Sequence, residues 1–348
     1  MLLYAKLCIF VISIPPGPLY DVQFWGVFCF YSMSKKVYNK LPKSFSEQVE
    51  LLEKRGLIIP NKQKAENILT YISYNRLSNY WFPMLKKPKE EEIFKDNSSF
   101  ETIFKIYQFD SELRTITFQA IEQIEIAIRT QIIYHFSHKY QSGFWYENSN
   151  VFSKYPNFIQ LLSKITKNIQ ETKQEYILKY HRKYEQFLPP SWKSFELLTF
   201  TGLLSILKNI NDNKDLIPIA KSLGIHHSLL ISWLENFIYI RNITAHHGRL
   251  WNIILTIKPE WLKSPKGKWV NRWENDYNPD GYTLEKVDKN DRILKFYASL
   301  CAILYCLQFI NPYHKYKDQL LRLFEKYPEV DLYHMGFPKN WKEQELWK

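Results

Sequence analysis

The chain has 348 residues, 45% of them hydrophobic and 17% aromatic, with only 10 glycines. That composition supplies a core for one large domain or two and argues against intrinsic disorder. The formal net charge of +12 bears on partners rather than fold. Nucleic acid is the default polyanion, because phosphates give affinity and interleaved aromatics give stacking; a merely soluble basic protein is the competing reading.

The segment 1–32 is apolar and aromatic, but Pro15, Pro16 and Pro18 cut its run LCIFVISI short of a bilayer span. It also lacks the basic start and small-residue cleavage site of a secretory signal. Met33 opens the hydrophilic MSKKVYNKLPKSF. Residues 1–32 therefore read as a non-native or disordered extension from an upstream start, with a membrane-associating tail as the alternative. Cys8, Cys29, Cys301 and Cys306 show no metal-binding spacing. Cys301 and Cys306 fall in an apolar helical run as small core residues, which fits a reducing, cytoplasmic compartment.

From Ser44 onward the sequence predicts helix after helix. Ser44 and Glu47 form a capping box and Gly56 a stop. NKQKAENILTYIS gives a second helix, and the aromatic-rich YNRLSNYWFPML follows, ended by Pro83. Lys86–Glu92 is a charged connector. From Ser99, apolar residues at three-four spacing (Ile103, Ile106, Phe109 or Asp110, Leu113, Ile116, Ala120, then Ile124, Ile128, Ile132) predict one long helix. Unbroken, it would run roughly 50–60 Å and form the spine of a bundle. Further helices are expected over Phe158–Tyr180, after Pro189 and Pro190 with Ser191 as N-cap, over 214–222, from about His226, over 291–310 and over 316–326. Residues 256–290 read as irregular and MGFPKNW as a turn with apolar anchors.

The expectation is an all-α helical bundle with a long central helix: a single domain over 33–342, with 38–95 as a candidate N-terminal helical subdomain. No strand series, Gly-rich phosphate loop, HExxH or GxSxG occurs, so kinase, P-loop, Rossmann and hydrolase readings have no support.

The densest chemistry is RNITAHHGRLWN, Arg241–Asn252, at the end of the helix that starts near His226. At about 100° per residue, Asn242 and His246 share a face and Arg249 extends it. Arg241 lies about 140° from His246, so the two meet only across a cleft or between two copies of the chain. A histidine titrates near neutral pH and serves as acid or base; a guanidinium holds phosphate oxygens in a rigid fork. Together they suit RNA cleavage, in which a 2′-hydroxyl loses its proton and attacks the phosphate. No metal is required, and no carboxylate cluster is present to hold one. R-x4-H spacing is common by chance, and a satisfied structural histidine is the ordinary fate of such a residue. Trp251 and Leu250 read as core.

RNITAHHGRLWN resembles the RN-x-x-AHH-x-RLWN signature of the abortive-infection (Abi) family, the AbiD/AbiF-like proteins of phage defence. SFSEQVELLEKRGLII, ISYNRLSNYWFPM, SFETIFKIYQFDSELR, AIEQIEIAIRT, LPPSWKSFELLTFTGLLSIL and MGFPKNW are similar to family blocks in family order, covering about residues 38–342. That family resembles the HEPN superfamily of helical bundles, whose R-x4-6-H motif often marks metal-independent endoribonucleases acting as dimers. The resemblance implies catalytic roles for Arg241, Asn242 and His246, with His247 in reserve at the looser spacing, and a 2′,3′-cyclic phosphate product. It implies no cofactor, a homodimer, and RNA as partner, both as substrate and as a structured non-coding antitoxin; neither DNA nor membrane is expected. Thr244 stands where many members carry Cys, a departure without expected effect on catalysis.

Further RNA contacts are expected from Arg249, and from Arg76 and Arg114, which fall in family-like blocks. The four-residue spacings Asp110–Arg114 and Glu125–Arg129 equally fit intrahelical ion pairs. The basic-aromatic KSPKGKWVNRW offers Lys266, Lys268 and Arg272, with Trp269 and Trp273 as stacking rings. A non-catalytic binder of structured RNA is the alternative function, and a dimer-interface network a third reading of the motif.

Overall fold

The structure, a computed structural model, describes residues 39–270 and 294–348. The expectations placed on residues 1–32, Cys8, Cys29, Arg272 and Trp273 lie outside the described residues. Among the described residues there are twelve α-helices and no strand beyond three isolated bridges, so the fold is all-α. Lys43–Lys348 clusters as one compact unit.

The first three helices start where short polar side chains can satisfy free amides. In α1 (Phe45–Lys54) the Ser44 hydroxyl accepts from the Glu47 amide, and the Glu47 carboxylate accepts from Ser44 N–H at 2.6 Å. Gly56, at φ +88°, takes the left-handed turn out of that helix. Asn61 caps α2 (Lys62–Tyr71) and Ser73 caps α3 (Tyr74–Trp81), which runs into a 3₁₀ turn holding Pro83.

Ser99 caps α4 (Phe100–Lys139), 40 residues long and therefore about 60 Å. Its buried stripe runs from Phe100 through Ile132 to Phe136 and includes three polar residues, Asp110, Arg114 and Thr117.

Two expectations need correcting in the middle of the chain. The single helix over Phe158–Tyr180 is two helices, α5 (Tyr155–Glu171) and α6 (Glu175–Lys183). Thr172 sits between them in extended conformation, and its hydroxyl accepts from the Gln174 amide at 3.2 Å, a local bond that competes with helix. After the two prolines, Pro190 rather than Ser191 is the cap. α7 (Ser191–Ser194) lasts one turn, and the chain restarts at Thr199 for α8 (Phe200–Asn209). Arg129 of α4 explains that break. Its guanidinium donates to the Phe195 and Leu198 carbonyls at 3.1 and 3.0 Å and to Glu125 at 2.9 Å, satisfying carbonyls that a continuous helix would bond itself.

The remaining helices are α9 (Leu216–Ser222), α10 (His227–Ala245), α11 (Phe296–Ile310) and α12 (Tyr316–Lys326). Every residue of α11 from Phe296 to Leu307 is buried, Cys301 and Cys306 included, which makes it the central rod of the bundle. α4 packs against α3, α7 and α8–α12. The C-terminal segment lies back on this core through Met335, Phe337, Trp341 and Trp347, turned by Gly336 at φ +90° and fixed by a 3.0 Å bond from the Trp347 indole to Tyr297.

Candidate functional site

α10 is apolar along most of its length and ends in the polar motif. His246 is its C-cap, and His247 is the left-handed residue that reverses the chain, at φ +57°. The Gly248 amide donates to the Ile243 carbonyl at 2.8 Å, and the His247 amide to Thr244 at 3.2 Å. This pair of bonds is a Schellman turn, which normally places glycine where His247 stands. A Cβ on Gly248 would lie 3.0 Å from the Ile243 side chain and 3.2 Å from its carbonyl oxygen, so the following residue must be small.

The reversal is fastened from outside the helix. Arg76 of α3 donates to the His247 carbonyl at 2.8 Å. The Arg249 guanidinium is bonded to the Asn79 carbonyl of the same helix. Asp110 of α4, fully buried, accepts from the Leu250 and Trp251 amides at 3.0 and 2.6 Å through one oxygen. Its other oxygen accepts from the Tyr80 hydroxyl at 2.7 Å and from Arg114. Lys295 reaches Asn252 at 3.1 Å, and the Trp251 ring stacks 6.3 Å from Tyr80. Leu250 and Trp251 are core, as read from sequence.

Burial pushes the Asp110 carboxyl above the usual carboxylate range, while the Arg114 guanidinium, the Tyr80 hydroxyl and the two amides pull it back. Four donors and no acceptor face it, the set that an acceptor-only carboxylate fits. Burial also draws the Arg249 guanidinium below its ordinary value, opposed by Tyr80 and Asp110.

What remains outside is chemical. Asn242, His246 and His247 are exposed and Arg241 is half-buried. The Arg241 guanidinium lies 5.7 Å from the centre of the Phe118 ring of α4 and 3.5 Å from Asn242 Oδ1. Among the described residues no hydrogen bond joins it to either imidazole. Arg249 does not continue the Asn242–His246 face, because the helix has already ended. It is half-buried beside α3.

The other candidates separate by burial. Arg114 is buried in its ion pair with Asp110 and faces no solvent, so the intrahelical pairing expected from spacing is present. The same holds for Glu125–Arg129. Trp269 is turned inward among Trp233, Trp261 and Tyr305, while Lys266 and Lys268 are exposed, as is Lys263 at the start of the same segment. Among the described residues no group of three or more His, Cys, Asp and Glu side chains is gathered that could hold a metal ion, and no helix is long and apolar enough to cross a membrane.

Sequence reading treated Asp110 as half of a simple ion pair and missed its grip on the motif. A carboxylate on an otherwise apolar stripe was the available signal, since such a group is buried only with partners. Tyr80 carried none.

Residues 67–252 match the family model described as Abi-like protein, from α2 to the last residue of RNITAHHGRLWN. No curated relative and no solved structure matches. The matched region is more than half of the chain and holds the whole fastened turn with its partners on α3 and α4, and the chain belongs to the Abi-like protein family, which points to a role in abortive infection, a defence against phage.

Proposed function

We propose that the protein is a metal-independent endoribonuclease of the HEPN type, acting as a phage-defence toxin. The observation that carries this reading is the exposed His246–His247 pair on a turn that Arg76, Asp110 and Arg249 hold rigid. Catalytic side chains work when the backbone beneath them is fixed and their polar ends are free. His246 takes the proton from a 2′-hydroxyl; the 2′-oxygen attacks phosphorus; the bond to the 5′-oxygen breaks, and that oxygen takes a proton from a second imidazole. The product ends in a 2′,3′-cyclic phosphate. Arg241 and Asn242 hold the phosphate oxygens. Among the described residues no hydrogen bond joins Arg241 to His246, and in this reading a second copy of the chain completes the site.

Cleavage of total RNA in excess EDTA tests this. The protein should cut RNA, and His246→Ala/His247→Ala should lose about 10²–10⁴ of the rate, the usual worth of general acid–base catalysis. Cutting that needs an added divalent metal, or that survives the double substitution, refutes the mechanism. The alternative, a non-catalytic binder of structured RNA, draws on the exposed Lys266 and Lys268. Under it Arg241→Ala leaves cell toxicity intact.

A further inference from the structure

Beyond Asn252 the chain turns back along α10 toward that helix's start. Asn236 donates to the Ile257 carbonyl at 2.7 Å, Ser232 accepts from the Glu260 amide at 3.0 Å, and the Trp233 indole donates to the Glu260 carbonyl at 2.8 Å. The chain then crosses α11. The Lys266 amide donates to the Tyr305 hydroxyl at 2.8 Å, and the Gln308 side chain holds both the N–H and the C=O of Lys268, at 3.1 and 2.9 Å. Gly267 lies close against α11, where a Cβ would meet Phe309 at 3.1 Å. The backbone is thus fastened and the aromatic ring of Trp269 is covered. What stays outside is mostly cationic: Lys258, Lys263, Lys266 and Lys268 are all exposed, with Glu260 the one exposed carboxylate between the first and the last of them. Glu345, which feels the charge of Lys268 through space, has its carboxylate bonded to Lys348 at 2.8 Å.

We infer that this return segment is a phosphate-binding track for single-stranded RNA, with Lys258, Lys263, Lys266 and Lys268 holding the backbone of a strand that also lies at the His246–His247 turn. The inference rests on RNA being the ligand, as proposed above. The charges follow one chain segment, as a single strand requires. Between the turn and the lysines lie Ile254 and Ile257, 64% and 40% exposed, against which unpaired bases can rest. Trp233 precedes Ala245, the last residue of α10, by 12 residues, which is about 18 Å of helix. At about 3.4 Å per stacked nucleotide, that distance is roughly five nucleotides. Lysines contacting phosphate read no sequence, so the track sets the length of RNA required and not its bases.

The test replaces all four lysines with glutamine in the full chain. The probe is a labelled single-stranded RNA of about twelve nucleotides, 2′-O-methylated against cleavage and followed by fluorescence anisotropy from roughly 50 to 200 mM salt. Single-strand binding weakens with a salt slope of about 0.7 per phosphate contact, so the slope should fall by about 2.8. Across that range the variant should lose roughly fifty-fold less affinity than the parent. The same change should appear in the His246→Ala/His247→Ala background, with the melting temperature unchanged. An unchanged slope overturns the track. So does lysine-dependent capture of a polyglutamate peptide without capture of the RNA. Lysine-dependent binding with no cleavage by the parent would sink the nuclease reading and leave the track standing; cleavage with an unaltered slope would do the reverse.

Discussion

Asp110→Asn keeps the size of the side chain and removes its charge. Its amide oxygen still accepts from Leu250 and Trp251, but its NH₂ now faces the Tyr80 hydroxyl and the Arg114 guanidinium. Arg114 is then left buried, with the Tyr80 hydroxyl at 3.4 Å as its remaining partner. Removing one member of a buried ion pair costs about 3–5 kcal/mol, because the other charge is stranded away from water. At about 2–4 °C per kcal/mol for a large domain, the melting temperature should fall by roughly 6–20 °C. Thermal unfolding followed by circular dichroism at pH 7 measures this. The decisive comparison is the double variant Asp110→Asn/Arg114→Met, which removes the stranded charge along with its partner. It should melt above the single variant, although it carries one more substitution in the core. If it melts lower, or if Asp110→Asn alone moves the midpoint by less than about 3 °C, Asp110 is not the charged hub that the four donors imply.

His247→Gly should stabilise the protein by about 0.5–1 kcal/mol, since glycine occupies the left-handed position without the Cβ clash. His247→Ala, which keeps the clash, should bring no such gain, and equal melting temperatures for the two would refute the strain. Burial first, and then the charge of Lys317, holds His314 below the ordinary histidine value of 6.5. The unfolded chain then binds the proton more readily than the folded one, so stability is present above about pH 6.5 and is lost as the pH falls below it. Urea titrations across pH 7 to 5 should show that loss, and His314→Asn should flatten it.

The strongly patterned parts of the fold were legible because local chemistry and burial agree there. Ser44 with Glu47 marks the start of α1, and the isoleucine stripe marks α4. Where the sequence misled, tertiary bonds had overridden the local signal. No residue near Thr172 breaks a helix by type, yet its hydroxyl and extended backbone part α5 from α6. Arg129, some seventy residues away in sequence from Leu198, decides that α7 stops after one turn. No glycine stands at the left-handed position that ends α10. A histidine takes that position, held by Arg76 from α3. The site was legible as a cluster of residue types. Which arginines face solvent was not, because Arg76, Arg114 and Arg249 are indistinguishable from free arginines until the elements they bond are packed beside them.

The length of α4 has a consequence for how the molecule comes apart. One helix contributes to the packing of α3 and of every helix from α7 to α12, and it carries both the Asp110 grip on the histidine turn and, near its far end, a 2.5 Å bond from Lys139 to Asp215 beside α9. Neither end can be released by fraying a terminal segment, since the helix between them is buried along its stripe. Amides in the middle of α4 therefore exchange with solvent only when the bundle as a whole opens. The Leu250 and Trp251 amides, three and four residues after His247, are tied to that same helix through Asp110 and are expected to share its slow exchange rather than that of the loops.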